Sequence, residues 1–138
     1  MGRSILGGII GVVAGIFIVT ISLQISSSSY ELPEGLDPTD PEDRARLVAM
    51  MPISAQALVI LGHVLGAFAA SFIAGTISAR FKNRTGWMAG LIIIIATITN
   101  FVVMGHDMRF GLIDIPLTIF ATWLGAKIAS RNETIIEL

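Results

Sequence analysis

The sequence predicts an all-α integral membrane protein, a four-helix bundle with up-down topology. The chain of 138 residues is 54% hydrophobic and 14% charged, whereas roughly 25% of the residues of a soluble domain are charged. Four apolar runs follow one another, and the longest exceeds the ~20 residues that a helix needs to cross ~30 Å of hydrocarbon. Lysine and arginine residues collect at alternate ends of these runs, which is typical of membrane spans.

The whole chain, residues 1–138, is predicted to form a single transmembrane domain. The predicted spans cover about residues 5–25, 53–79, 86–105 and 110–129. The first run is longer than the apolar core of a signal peptide, about 7 to 15 residues, so we interpret it as a span. The last run is the least apolar because Asp114 and Lys127 lie near its ends, where a charge can cap a helix or extend to the membrane surface.

The positive charges predict the orientation of the bundle. If four spans alternate, six cations fall on the side of both termini: Arg3, Arg80, Lys82, Arg84, Lys127 and Arg131. Only Arg44, Arg46 and Arg109 fall on the opposite side. Cytoplasmic loops are enriched in Lys and Arg, so both termini are predicted to lie in the cytoplasm.

Residues 26–52 form the predicted outer loop, and its second half has the pattern of a short helix. Asp40 can act as an N-cap, Pro41 suits the first helical position, and the two acidic residues that follow complement the helix dipole. We predict an amphipathic helix from about Pro41 to Met50 at the outer membrane surface. It would cover the end of the bundle or, alternatively, dock a partner.

Two spans carry small residues at intervals of four, which places them on one face of a helix. These residues are Gly7, Gly11 and Gly15 in the first span and Gly62, Gly66 and Ala70 in the second. Small residues let helices approach closely in lipid, where no hydrophobic effect drives helices together. We interpret both stripes as helix-packing faces within the bundle, and self-association with a second copy is the alternative.

A few polar side chains lie inside the spans at similar depths. Gln24, Gln56, Asn100 and Asp114 are predicted in the outer leaflet, and His63 is predicted near the midplane. Polar groups in hydrocarbon are costly unless they are paired, so we predict one cluster containing Gln56, His63, Asn100 and Asp114.

This cluster permits two interpretations. The first is a structural role, in which hydrogen bonds between the helices stabilise their packing by about 0.6 kcal/mol for each bond. The second is a relay for protons or a small ion, with His63 titrating near an ordinary pKa of ~6.5 beside Asp114. Asp114 could also cap the fourth helix, because Ile115 and Pro116 follow it.

The sequence gives no support for an enzyme, a cofactor or a nucleic-acid partner. There is no cysteine, no Gly-x-Ser-x-Gly turn and no His-Glu-x-x-His motif. The adjacent His106 and Asp107 are a weak signal for metal binding, and we interpret them as a solvated turn. The Lys and Arg residues are accounted for by their enrichment in cytoplasmic loops, so we predict no nucleic-acid partner. We predict membrane lipid and other membrane-protein subunits, or further copies of this chain, as partners.

Several short motifs are shared with a known group of proteins. They are Tyr30, Leu32-Pro33, Gly35 to Asp37, Pro52, Gly66-Ala67-Phe68, Asn100, His106 and Gly125-Ala126. In these positions the chain resembles a group of small, uncharacterised bacterial four-span membrane proteins. The resemblance implies a bacterial inner membrane as the location and no agreed activity.

Two functional hypotheses follow. The first is a non-catalytic subunit or accessory component of a larger membrane complex, because the glycine stripes and the acidic loop provide surfaces beyond those of a minimal bundle. The alternative is a small oligomeric transporter or channel that carries protons or a small ion past Asp114 and His63. A conduction path also needs polar groups in the inner half of the bundle, where we identify only Thr76 and Ser78.

Overall fold

The structure, a computed structural model, describes residues 2–31, 33–37 and 39–131. Over these residues it contains five helices and no strand. The helices are α1 (Gly2–Ser28), α2 (Pro41–Ala49), α3 (Ile53–Ile77), α4 (Lys82–Met104) and α5 (Met108–Ser130). All except α2 are long and apolar enough to cross a membrane. The prediction of an all-α chain with four such helices is confirmed.

The α1 helix packs along α3 through their small residues. A Cβ atom built on Gly7 would lie 2.9 Å from the carbonyl oxygen of Ala74, and one built on Gly15 would lie 2.7 Å from that of Gly66. Residue numbers rise on α1 as they fall on α3, so the two helices run in opposite directions. The two predicted small-residue stripes therefore contact each other within one chain, and a methyl group added at Gly7 or Gly15 would displace the facing helix.

The α3 helix lies at the centre of the bundle, because α1, α4 and α5 all pack against it. The α4 helix runs antiparallel to α3, with Gly86 against the carbonyl group of Ser71. The α5 helix runs parallel to α3, with Gly125 against the carbonyl group of Phe68. The buried core is made mainly of small side chains, namely Ala67, Ala70, Ala74, Ala89, Ile93 and Ala121. Close approach of backbones therefore holds the helices together.

The bundle has two chemically different ends. The α2 end holds α2, Ile53, Met104 and Met108. The basic end holds the start of α1, the end of α3, the start of α4 and the end of α5. Six cations lie at the basic end: Arg3, Arg80, Lys82, Arg84, Lys127 and Arg131.

The turn at the basic end contains an unusual backbone conformation. Phe81 has φ +62°, in the left-handed region, and immediately precedes α4. A residue other than glycine in this region costs about 1–3 kcal/mol. The guanidinium groups of Arg80 and Arg84 lie 5.2 and 5.7 Å from the centre of its ring. These two cation–π contacts offset part of the strain.

The α2 helix begins with a capped turn. Asp40 Oδ1 accepts the backbone N–H groups of Glu42 and Asp43 at 2.8 and 3.1 Å, and Pro41 occupies the first turn. Leu47 and Val48 are the buried side chains of this helix. It contacts the neighbouring end of α4.

The α5 helix begins earlier than a cap at Asp114 would require. It starts at Met108 and contains Pro116 in its interior. The interpretation of Asp114 as a helix cap is therefore wrong, because Asp114 lies about 9 Å along the helix axis from its start. Pro116 has no N–H, so the carbonyl group of Leu112 loses its helical donor next to Asp114.

Candidate functional site

The site is built around a buried contact between α3 and α5. His63 Nδ1 lies 2.7 Å from Asp114 Oδ2, and the two side chains are 2% and 1% exposed. Thr118 Oγ1, one turn further along α5, donates to Asp114 Oδ1 at 3.3 Å. Parallel packing of α3 and α5 brings these groups together, because each faces the other helix at the same level.

Both oxygens of Asp114 therefore have a protein donor. An ionised carboxylate in a membrane interior is costly, and hydrogen bonds from an imidazole N–H and a hydroxyl group reduce that cost. With Nδ1–H directed at Asp114, the other ring nitrogen, Nε2, is left as an acceptor when His63 is neutral. Nε2 makes no hydrogen bond to any residue that the structure describes.

His63 also lines a cavity of about 180 Å³ between α1, α3 and α4. The cavity includes Asn100, whose side chain is partly buried. Most of its lining is aliphatic, and the polar residues in it are Thr20, His63 and Asn100. The imidazole of His63 thus borders this cavity and also contacts the enclosed carboxylate of Asp114.

The predicted cluster is brought together only in part. His63 and Asp114 are in contact, and Asn100 shares the cavity of His63. Gln56 lies apart, because its Nε2 donates to the carbonyl oxygen of Met51 at 3.0 Å. This amide therefore contacts the backbone just before the start of α3. Gln24 is exposed near the end of α1.

Three cavities form a series from the α2 end to His63. The outermost, about 520 Å³, is lined by Gln56, Arg109 and His106. His106 also lines the second cavity, about 320 Å³, whose opposite wall includes Asn100. Asn100 in turn lines the cavity of His63. Neighbouring cavities thus share lining residues.

His106 occupies the junction between the first two cavities. It is 9% exposed, and its ring stacks on Phe110 with 4.1 Å between ring centres. The interpretation of His106 as part of a solvated turn is therefore wrong, because Phe110 and the turn between α4 and α5 enclose it. Burial lowers the pKa of His106 below its ordinary value of about 6.5, and the negative charge of Asp114 acts in the opposite direction.

The predicted cluster did not include a set of buried hydroxyl groups on α3, α4 and α5. Ser71, Thr97 and Thr122 each have a buried side-chain oxygen without a hydrogen bond among the described residues. Ser71 and Thr122 both border Gly90, which has no side chain to separate them. Thr118 and Thr122 follow Asp114 at intervals of four and so lie on the same face of α5, and this spacing is the signal that could have identified Thr122.

A second group of hydroxyls lies at the basic end. Ser4 Oγ and Ser78 Oγ are 2.8 Å apart, and Thr85 Oγ1 donates to Ser78 Oγ at 3.2 Å. Between this group and the pair Ser71–Thr122 lies a layer of small buried residues that includes Gly75, Gly86 and Ala126. We call these three residues the small-residue layer. It contains no polar side chain.

No three His, Cys, Asp or Glu side chains come together as a possible metal site within the described ranges. His63, Asp114 and the hydroxyl group of Thr118 can form hydrogen bonds and exchange protons with one another.

Comparisons with protein-family models, curated proteins and solved structures gave no match to this chain.

Proposed function

We infer that this chain is a small membrane transporter that carries protons, with His63 and Asp114 as the proton-exchanging pair. One observation supports the proposal: His63 and Asp114 form an enclosed imidazole–carboxylate pair, and His63 lines a cavity that shares residues with two further cavities toward the α2 end. Ionisable residues inside membrane spans are rare and mark proton or ion pathways.

The pair can accept a proton in a defined order. A proton arriving through the cavities binds Nε2 of His63, and the ring then gives its Nδ1 proton to Asp114 Oδ2, 2.7 Å away. The result is a neutral imidazole and a protonated carboxyl group, so no net charge stays buried after loading. The buried hydroxyl groups of Thr118 and Thr122 lie next along α5.

The small-residue layer supports a transporter over an open channel. Among the described residues, no buried polar side chain lies along α3, α4 and α5 between the pair Ser71–Thr122 and the pair Ser78–Thr85. Release toward the basic end therefore requires movement of the helices around this layer. We propose that a second copy of the chain supports this movement, so that the transporter is an oligomer.

The proposed orientation follows from charge. The excess of Lys and Arg at the basic end favours the cytoplasmic side for that end and for both termini. The cavities and α2 would then face the outside, and the bundle would have up-down topology. A bacterial inner membrane is the location that the resemblance of the sequence supports.

Proton flux into liposomes tests the proposal. Purified protein is reconstituted, a pH gradient is imposed, and a trapped pH dye reports flux. Asp114→Asn and His63→Gln should each abolish flux, whereas Thr99→Val should not, because Thr99 is exposed and donates only to its own helix at Ile95. Absence of flux in the parent protein, or equal flux in all variants, would contradict the proposal.

A non-catalytic subunit of a larger membrane complex is the second candidate. Its supporting observation is α1, in which Gly7, Gly11, Gly15 and Ser26 are the buried residues. The side chains of Ile5, Ile9, Val13 and Phe17 are each 57–65% exposed and follow one another at intervals of four. Such a stripe contacts lipid or another helix.

Mild-detergent purification from the native membrane, followed by mass spectrometry, tests this second candidate. A subunit should co-purify with another membrane protein at a fixed ratio, and Val13→Asn on the exposed stripe should release it. Recovery of this chain alone as a monomer would count against a subunit role.

A further inference from the structure

The cavity beside His63 opens toward the membrane between α1 and α4. The two helices touch at its inner end, where a Cβ atom built on Gly15 would lie 3.0 Å from Cδ1 of Ile93. Nearer the α2 end, Ala96 lines the α4 wall, and its small side chain leaves space between the helices. Thr20 and Ala96 are exposed on the outer surface of the bundle, so a molecule dissolved in the membrane can enter the cavity from the side.

Two polar groups in this cavity have no partner in the part of the chain that the structure describes. His63 is 2% exposed, and with its Nδ1–H group directed at Asp114, its Nε2 is an acceptor without a hydrogen bond. The side-chain amide of Asn100, which is partly buried, also makes no hydrogen bond there. Buried polar groups are normally paired, so a molecule that both donates and accepts would complete this site.

The lining and the depth of the cavity favour an uncharged ligand. No Asp, Glu, Lys or Arg is among the described residues that line this cavity or the neighbouring one, with which it shares Thr20, Leu23 and Asn100. A charged headgroup would therefore lose its hydration without gaining a counter-ion. His63 lies about 15 Å along the axis of α3 from its start at Ile53, which is half of the ~30 Å thickness of the hydrocarbon. The ligand must therefore be soluble deep in the membrane.

We propose that this cavity binds a quinol, an uncharged aromatic ring with hydroxyl groups and a long apolar chain. One hydroxyl group would donate to Nε2 of His63 and accept from the amide of Asn100, and the apolar chain would pass between Thr20 and Ala96 into the lipid. The cavity has a volume of about 180 Å³, and an apolar protein cavity of about 150 Å³ holds a benzene ring. The proposal concerns binding alone and does not depend on proton transport.

Native mass spectrometry of the purified full chain under anaerobic conditions tests the ligand. Decylplastoquinol, decylplastoquinone and dioctanoylglycerol are titrated separately into the protein in detergent. The quinol should bind about tenfold more tightly than the quinone, which has the same chain but no O–H donor for Nε2 of His63. Dioctanoylglycerol has a hydroxyl group but no ring to fill the cavity, so it should bind no better than the quinone. No saturable binding of the quinol, or equal binding of either other compound, would overturn the proposal.

Two pairs of adjacent variants on α4 test the location of the site. Ala96→Phe fills the space between α1 and α4 and should abolish saturable quinol binding, whereas Ile95→Phe, at an exposed position outside the cavity, should not. Asn100→Leu removes the amide and should weaken quinol binding about tenfold. Thr99→Val is its control and should not, since Thr99 donates within its own helix. Full binding to Ala96→Phe or Asn100→Leu, or equal loss in the controls, would overturn the proposal. Circular dichroism verifies that every variant keeps its helices.

Discussion

The Asp114 side chain accepts hydrogen bonds from two different donors. The effect of a substitution at Asp114 depends on whether it removes the negative charge alone or the hydrogen-bond acceptors as well. The carboxylate accepts from His63 and from Thr118, and it also carries the charge that the proposed proton exchange requires. Asparagine keeps an acceptor for the Nδ1–H group of His63, whereas alanine leaves this buried donor unpaired. The two substitutions therefore separate a structural role from a functional one.

We expect Asp114→Ala to lower the free energy of unfolding by about 1–3 kcal/mol, because an unpaired buried polar group retains its desolvation cost. Asp114→Asn should lower it by less than half as much while still abolishing proton flux. Thermal unfolding in detergent micelles, combined with the flux assay, measures both effects. Equal destabilisation by Asp114→Asn and Asp114→Ala would contradict this prediction. It would show that the negative charge of Asp114, and not its hydrogen-bond acceptor, makes the main contribution to the free energy of unfolding.

His106 should make stability depend on pH. Its folded pKa is lowered by burial, whereas in the unfolded chain it should be near 6.5. Below pH 6.5 the unfolded state therefore binds a proton first, so stability falls as pH falls toward the folded pKa. Asp114 opposes this shift of the His106 pKa, and a positive charge on His63 adds to it.

We predict that the melting temperature falls between pH 7 and pH 5, and that the fall is smaller in His106→Gln. The measurement is thermal unfolding in micelles at both pH values. Asp107→Asn is the control, since Asp107 is exposed in the same turn. An identical pH dependence in the parent and in His106→Gln would contradict the prediction.

The partners of individual threonines could not be predicted from the sequence. Thr20, Thr76 and Thr99 are exposed, and each donates to the carbonyl group four residues earlier on its own helix. Thr118, in an equally apolar stretch, is buried and donates to Asp114. A threonine within an apolar helix can satisfy its hydroxyl group locally, so its sequence context does not reveal whether it faces lipid or protein.

At the scale of elements, the contact between α1 and α3 depends on the absence of side chains. A Cβ atom on Gly15 would approach the carbonyl oxygen of Gly66, whereas one on Gly8 would meet nothing within 4 Å. The two glycines lie in the apolar part of the same helix. They differ in the face that they occupy.

We predict that Gly15→Ala lowers the free energy of unfolding by about 1–3 kcal/mol, because the two backbones must move apart to admit the methyl group. Gly8→Ala should leave stability unchanged or raise it slightly, since alanine favours helix formation. Unfolding of both variants in the same micelles provides the comparison. Equal effects would show that α1 and α3 do not depend on close contact at Gly15.

The spacing of the small residues predicted which faces of α1 and α3 pack, but not which neighbours they contact. In water, an apolar face identifies the side of a helix that points toward the core. In lipid, apolar side chains are stable on either side, so the order of helices around α3 is not encoded in hydropathy. The paired positions of Gly15 and Gly66 became evident only from the structure.

For the whole molecule, hydropathy predicted the four long helices because their length is imposed by the thickness of the membrane. Their ends were less predictable. The third predicted span began at residue 86, whereas α4 begins at Lys82, because the first turn of a helix can lie at the membrane surface with its charged side chains in water.

The proposed orientation makes a direct prediction about labelling. The chain contains no cysteine, so single cysteines introduced at exposed positions report their own location. In intact cells, a membrane-impermeant maleimide should label Glu34→Cys and should not label Asn83→Cys. Both should react after the membrane is permeabilised. Labelling of Asn83→Cys in intact cells would contradict the proposed topology.

The series of cavities also determines where a membrane voltage acts. In the proposed transporter, water in the cavities at the α2 end would sustain little of the electric field, so most of the potential would fall across the small-residue layer between Thr122 and Ser78. A charge that crosses the full potential gains or loses about 2.3 kcal/mol per 100 mV. Under the proposed function, voltage should therefore leave the loading of His63 and Asp114 nearly unchanged and act on the release of the proton at the basic end.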